Sequence, residues 1–214
     1  MSIYYIACIT CNKNIQEGIY NSAFYPNLFT MVSAFIVIAL VMATLTWLAI
    51  KRYQWLVQKD STLLNPVPLL SAGAVLGIGL GGFADGIVLH QVLQWHEMLT
   101  AKIPADTLVN KSINMFWDGI FHWFTLVATL LGVYLLFKVL HRPMVAKDGR
   151  FLSGGMLAGW GIFNLIEGII DHHILKLHNV YEFSINRDWY NYAFLVFGVL
   201  LVCAGWLLSR RYFR

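Results

Sequence analysis

The sequence predicts an all-α protein, a polytopic membrane helix bundle with five transmembrane helices. Of its 214 residues, 58% are hydrophobic and only 12% are charged, whereas a soluble domain carries about 25% charged residues. A single soluble core of this size could not bury so much apolar surface. The composition therefore excludes a soluble globular domain, a disordered chain and a disulfide-rich secreted module.

The apolar residues fall into five segments, each close to the roughly 20 residues that a spanning helix needs. These segments are Leu28–Ile50, Val67–Trp95, Ile113–Leu140, Phe151–Leu177 and Tyr190–Ser209. We expect residues 1–27 to form an extracytoplasmic N-terminal segment, 28–50 the first transmembrane helix and 67–209 a four-helix bundle. Glycines recur in the second and fourth segments, and glycines permit close approach of helices in a membrane.

Lys and Arg residues are distributed unevenly between the two sides of this topology. Ten of them lie after the first and third segments and at the C-terminus, and connections rich in these residues face the cytoplasm. The sequence therefore predicts a multi-pass protein of the inner (plasma) membrane, with the N-terminus outside and the C-terminus cytoplasmic. The net charge of +4 reflects this bias, and no nucleic-acid partner is expected.

Ionisable residues occur inside three of the five segments, where they are costly and mark functional sites. They are Asp85 and His90 in the second segment, with His96 directly after it, Asp118 and His122 in the third, and Glu167, Asp171 and His172 in the fourth, with His178 directly after it. Because consecutive segments alternate in direction, all three groups fall at one level, in the outer third of the bilayer. We therefore expect them to meet.

Helical spacing predicts which of these side chains share a face. Asp118 and His122 lie four residues apart, so they point the same way. Asp85 and His96 also return to nearly the same face, whereas His90 lies off that face. A further stripe is formed by Asn164, Glu167, Asp171 and His178.

The second and fourth segments also share a motif. Asp85-Gly-Ile-Val-Leu-His-Gln-Val-Leu-Gln-Trp-His96 aligns with Glu167-Gly-Ile-Ile-Asp-His-His-Ile-Leu-Lys-Leu-His178, with the acid, Gly, Ile, His, Leu and His at the same spacings. This pattern predicts a parallel internal repeat that relates the two helices. A site shared between two such copies would lie on their axis.

Carboxylates and imidazoles that converge in a low dielectric repel or neutralise one another unless a cation lies between them. Mixed shells of this kind suit zinc, iron or manganese. The nine ionisable residues exceed the needs of one metal, so we predict one or two divalent ions, zinc or iron, with all nine as candidate ligands. Three amides are expected to orient ligands through hydrogen bonds: Gln91, Asn114 and Asn164.

Some of these residues also allow simpler interpretations, which do not involve a metal. Asp118 and His122 could form a plain hydrogen-bonded pair, and His96 and His178 could lie at the membrane interface. We expect His173 to support a ligand or face the surface. Two of the three cysteines, Cys8 and Cys11, suggest a disulfide, a metal-delivery pair or no role at all.

Three motifs resemble a prokaryotic family of small multi-pass membrane proteins without an assigned function. They are Phe83-Ala-Asp-Gly-Ile-Val-Leu-His-Gln-Val-Leu-Gln-Trp-His96, Phe116-Trp-Asp-Gly-Ile-Phe-His122 and the Glu167–His178 motif given above. The resemblance covers residues 67–209. It implies a membrane helix bundle and brings no activity or cofactor with it.

Two functions follow from such a site. A membrane metalloenzyme would act on a lipid-like or small apolar substrate, by oxidation with iron or hydrolysis with zinc, and Asp85, Glu167 or Asp171 could be its base. The alternative is metal handling or delivery without catalysis, for example for maturation of a respiratory complex. A proton conduit is less favoured, because the cytoplasmic halves of the three polar segments are apolar or glycine-rich.

Overall fold

The computed structural model describes residues 9–210, which form helices and connections without a strand. The helices are α1 (Lys13–Ile19), α2 (Phe24–Val57), α3 (Val67–Ala84), α4 (Leu108–Leu140), α5 (Gly149–Glu167) and α6 (Arg187–Ser209). Both α3 and α5 run on directly into π-helical segments, Asp85–Val92 and Gly168–Ile174. The protein is therefore all-helical, as predicted.

Within residues 9–210, four helices are long and apolar enough to cross a membrane, so the fifth predicted span stays a prediction. They are Phe24–Val57, Val67–Val92, Leu108–Leu140 and Arg187–Ser209. Of the other two helices, α1 has only seven residues, and α5 packs between α3 and α6. Helix α5 is less apolar than the four candidate spans because it carries glycines and the polar residues Asn164 and Glu167, which are buried against other helices.

The chain connections tie the bundle together at its two ends. At one end, which we call the basic end, the α2–α3 and α4–α5 connections pair: Asn65 N–H donates to Met144 O at 2.9 Å, and Ala146 N–H donates to Asn65 O at 3.0 Å. At the other end, the roofed end, residues 93–107 and 175–186 form two loops over the bundle. The roof loops also pair, since Ala101 N–H donates to Leu177 O at 2.9 Å.

The contact between α3 and α5 is backbone to backbone, because glycines stand where side chains would collide. A Cβ on any of four glycines would overlap a carbonyl of the opposite helix. The pairs are Gly73 with Leu152, Gly155 with Leu70, Gly77 with Met156, and Gly159 with Ala74. These contacts are reciprocal. Each of these two α5 glycines lies 82 positions after one of the two α3 glycines, and the residues whose carbonyls they meet are also 82 positions apart. The two helices therefore approach each other symmetrically.

The largest apolar core lies on the α4 side of the roofed end. Ile15 and Ile19 of α1 and Met31 of α2 pack there with Trp117 and Phe121 of α4. The rest of α2 is largely exposed, and only its N-terminal half contributes buried residues. Consequently α1 and the start of α2 close one side of the bundle.

Candidate metal centre

The two π-helical segments bring an acid and a histidine together in each half of the bundle. Asp85 Oδ2 lies 3.2 Å from His90 Nε2, and Glu167 Oε1 lies 3.0 Å from His172 Nε2. In both pairs the residues are five positions apart, which the i to i+5 winding of a π-helix places one above the other. The expectation that His90 lies off the Asp85 face is therefore wrong, because it assumed α-helical winding.

His96 and His178 follow the π-helical segments and point back into the bundle. The chain turns two residues before each histidine, where Gln94 and Lys176 adopt positive φ angles of 51° and 50°. Both imidazoles are buried, and their rings stack in parallel with centroids 4.5 Å apart. An interfacial position, the alternative for these two histidines, does not fit this burial.

Backbone carbonyls fix the orientation of these two rings. His96 Nδ1 donates to Val180 O at 2.8 Å, and His178 Nδ1 donates to Met98 O at 3.0 Å. Since a carbonyl only accepts, each ring carries its proton on Nδ1 and presents the lone pair of Nε2 to the cluster. Protein ligands of metals are commonly held in this way. Burial also keeps the pKa of His96 well below its ordinary value, which favours the neutral ring.

A carboxylate orients the third histidine. His90 Nδ1 donates to Asp118 Oδ1 at 3.0 Å, and the same oxygen accepts the Met98 N–H at 2.8 Å. Asp118 therefore fixes both the His90 ring and the loop whose carbonyl holds His178. With its proton on Nδ1, His90 turns the lone pair of Nε2 toward Asp85.

Carboxylate oxygens and imidazole nitrogens consequently lie close together inside the protein. The Asp85–His90 and Glu167–His172 approaches lack hydrogen-bond geometry despite their lengths. Glu167 Oε1 also lies 3.2 Å from His178 Nε2. Two ligands of a tetrahedral metal, each bound at about 2.0–2.1 Å, stand about 3.3 Å apart. The spacing between these atoms is thus the spacing that a shared cation requires.

Two overlapping groups have donor atoms close enough to hold an ion. One group is His90, His96 and His178, and the other is Glu167, His172 and His178. Within each group the donor atoms lie within 4.8 Å of one another, and every member is buried. Because His178 belongs to both, the two positions are adjacent, and the arrangement offers room for one or two ions.

The other candidate ligands lie around these groups. Asp118 faces His90 through the hydrogen bond already described. His122 stacks on Phe83 with ring centroids 5.9 Å apart, beside Gly86. Asp171 is buried, and its Oδ1 has no hydrogen-bond partner among the described residues.

The amides expected to orient ligands are placed differently from one another. Asn114 accepts the Leu99 N–H at 2.9 Å and donates to Ile103 O at 2.8 Å, so it anchors a roof loop. Asn164 is buried, with Oδ1 unpartnered within residues 9–210. Gln91 is exposed and points away from the cluster, so it orients no ligand. His173 is half-buried and donates to its own helix at Gly168 O.

Two residues at the roof were not predicted from the sequence. Asn191 of α6 accepts the Val180 N–H at 2.9 Å and so positions the carbonyl that holds His96. Glu97 is buried with Oε1 3.5 Å from Lys111 Nζ, and burial raises the pKa of its carboxyl. Glu97 could have been found from the sequence, because it is adjacent to His96. The role of Asn191 could not, because it depends on a loop contact that the local sequence does not encode.

The two cysteines among residues 9–210 are not part of the cluster. Cys11 is an exposed free thiol, and Cys8 lies outside the described residues. Cys203 is exposed on the surface of α6.

Comparison with known families supports the membrane assignment. A family model described as a predicted membrane protein (DUF2243) matches residues 72–212. The match confirms the resemblance drawn from the three motifs and includes every residue of the two candidate groups. No curated protein and no solved structure matches the chain.

Proposed function

The chain belongs to the predicted membrane protein family DUF2243, and we propose that it binds one or two divalent metal ions, zinc or iron, at the buried cluster. The observation that carries this proposal is the set of short contacts that place carboxylate oxygens against the Nε2 atoms of His90, His172 and His178, where the lone pairs of a carboxylate and a neutral imidazole would meet. Lone pairs so placed repel one another in a low dielectric. A bound cation removes that repulsion.

Protons satisfy the cluster less well than a metal does. The Nε2 atoms of His90, His96 and His172 have no hydrogen-bond partner in the described part of the chain, and neither does Glu167 Oε2. Buried polar atoms are nearly always satisfied in native proteins. One proton bridges only one pair of atoms, whereas one metal ion accepts four or more donors.

We further propose that the second and fourth predicted segments are copies of one unit, with the metal on their common axis. The supporting contacts match in detail. Leu93 N–H donates to Val88 O, and 82 positions later Leu175 N–H donates to Ile170 O. This repeat makes α5 with its π-helical segment the fifth membrane-spanning element, since its counterpart spans by length and composition.

The distribution of basic residues supports a location at the outer side of the inner membrane. The ten Lys and Arg residues counted above lie toward the basic end or the C-terminus, which would face the cytoplasm. The cluster lies at the opposite, roofed end. The N-terminal segment would then be extracytoplasmic, and residues 67–209 would form the metal-binding bundle.

Among the two functional classes we favour a metalloenzyme with a lipid-like or small apolar substrate. A metal in this position would polarise water or dioxygen. The buried Oδ1 of Asp171 has no hydrogen-bond partner among residues 9–210, which suits a general base. Every member of the two groups is at most 3% exposed, and such burial suits a retained cofactor better than a metal in transit.

Elemental analysis of the purified protein tests this proposal. We expect stoichiometric zinc or iron in the wild type, no bound metal in Glu167→Ala, and unchanged metal in the control Glu17→Ala, whose carboxylate is exposed. Equal metal content in wild type and Glu167→Ala would contradict the site. Metal that exchanges within minutes would favour delivery over catalysis.

A further inference from the structure

A crevice of about 400 Å³ lies between α3 and α6, alongside α5. Its walls are apolar and aromatic, and they include Leu89, Trp160 and Phe194. Two of its lining residues, Asp85 and Asn164, are buried at 6% and 2% exposure. The crevice therefore reaches from the surface of two candidate spans to the edge of the cluster.

Two buried oxygens without hydrogen-bond donors belong to residues that line the crevice. Asp85 Oδ2 and Asn164 Oδ1 have no hydrogen-bond partner among the described residues. Asp85 Oδ2 also lies 3.2 Å from His90 Nε2, so a ligand that reached it would lie next to the candidate metal position. A donor group at the end of an apolar ligand would complement this site.

The matching space on the other side of the bundle is filled. Helix α6 corresponds to helix α4 in the repeat, because Gly205 of α6 lies 73 positions after its counterpart Gly132 of α4. The same offset relates Tyr190 and Phe194 of α6 to Trp117 and Phe121 of α4. On the α4 side, the Phe24 ring contacts Trp117 at 5.5 Å and the Phe35 ring contacts Phe121 at 6.0 Å.

The start of α2 thus seals the Glu167 side, while the Asp85 side stays open. Val88 and Phe197 at the mouth of the crevice are 45% and 46% exposed. Both belong to candidate membrane spans. The opening therefore lies between two helices that are long and apolar enough to cross a membrane.

We propose that this crevice binds a single-chain aliphatic alcohol taken from the bilayer, with its hydroxyl toward Asp85 and Asn164. The inference rests on the proposed function for the neighbouring cluster, and it specifies which ligand reaches that cluster. The apolar walls accept a hydrocarbon chain, and the two acceptors need a donor. A fatty acid would place a second carboxylate beside Asp85, which the low dielectric disfavours.

Fluorescence quenching in phosphatidylcholine nanodiscs tests the proposal, since Trp95 and Trp160 line the crevice. The probe is 11-bromo-1-undecanol, whose bromine quenches nearby indoles. We expect a saturable quenching component in the wild type above the linear quenching of lipid-facing tryptophans. Ala193→Phe fills the crevice and should abolish the saturable component. The control Val196→Phe alters an exposed α6 residue outside the crevice and should retain it.

A second probe tests the polar end of the site. 1-Bromoundecane has the chain but no hydroxyl, and we expect it to bind about fivefold to tenfold more weakly, as the loss of one hydrogen bond predicts. Equal affinity for the two probes would overturn the assignment of the hydroxyl. Saturable quenching of Ala193→Phe equal to that of the wild type would overturn the crevice as the binding site.

Metal content measured on the same samples separates this inference from the proposed function. Ala193→Phe with full metal and no saturable quenching supports both. A wild type without metal, but with saturable quenching that Ala193→Phe removes, supports the crevice and contradicts the metal site. Full metal with no saturable quenching in the wild type contradicts only the crevice.

Discussion

His96 and His178 hold each other's loops, and this reciprocity organises the roofed end. Each imidazole donates from Nδ1 to a carbonyl two residues beyond the other histidine, His96 to Val180 and His178 to Met98. The rings stack in parallel at 4.5 Å. Each ring is thus held by the loop that follows the other, so the cluster and the roof depend on the same two hydrogen bonds.

Replacing His178 should therefore remove metal from both candidate positions. His178→Ala deletes the donor common to the two groups, and we expect metal content to fall to background in elemental analysis. His141→Ala is the matched control, since His141 is exposed near the basic end and should leave metal content unchanged. Retention of metal by His178→Ala would exclude this residue as a shared ligand.

Asp118→Asn tests a positioning role. The amide can still face His90 Nδ1, but it lacks the charge that strengthens the bond, so metal affinity should fall by about 10–100-fold. Competition with a chromogenic chelator measures the change. Asp106→Asn, which changes an exposed acid in the connection before α4, should bind metal as the wild type does. If Asp118→Asn releases all metal, Asp118 is instead a direct ligand.

The close approach of α3 and α5 predicts a strong dependence on two glycines. Gly77→Ala and Gly159→Ala each place a methyl group against a carbonyl of the opposite helix, and such overpacking costs about 1–3 kcal/mol. Thermal unfolding in detergent measures the loss. Gly119→Ala has no neighbour within 4 Å of the added Cβ and should not lower the midpoint. Similar midpoints for all three variants would refute the tight interface.

Removing the metal should destabilise the protein. A ligand present at 100 times its Kd stabilises the folded state by about 2.7 kcal/mol, so prolonged dialysis against a chelator should lower the unfolding temperature. Adding zinc or iron should restore it. Glu167→Ala serves as the control, because a protein that binds no metal should not respond. An equal response in both proteins would assign the effect to the chelator itself.

The orientation of the chain can be tested with its own cysteine. In a Cys8→Ser, Cys203→Ser background, the exposed Cys11 should react with a membrane-impermeant maleimide in intact spheroplasts. The matched variant adds Cys11→Ser and Ser61→Cys, which moves the thiol to the basic end, and it should react only after lysis. The reverse pattern would invert the proposed topology.

The sequence by itself determined the membrane character of the protein, the helical class and the segregation of acids and histidines into three segments. These features are readable because apolar length and charge distribution are local properties of the chain. The structure identifies four of the five predicted spans by length and apolarity, and the same reasoning failed at His90. It applied one helical period throughout, while residues 85–92 wind as a π-helix.

Only the tertiary structure decided how the cluster is built and which side of it is open. The carbonyls of Met98 and Val180 reach histidines 80 and 84 positions away in the chain, and no local pattern specifies such pairings. The role of Asp118 as the partner of His90 likewise depends on where α4 packs. Phe24 and Phe35 of α2 fill one side of the bundle, whereas the crevice beside Asp85 stays open. This difference arises from where α2 packs, and only long-range contacts fix that position.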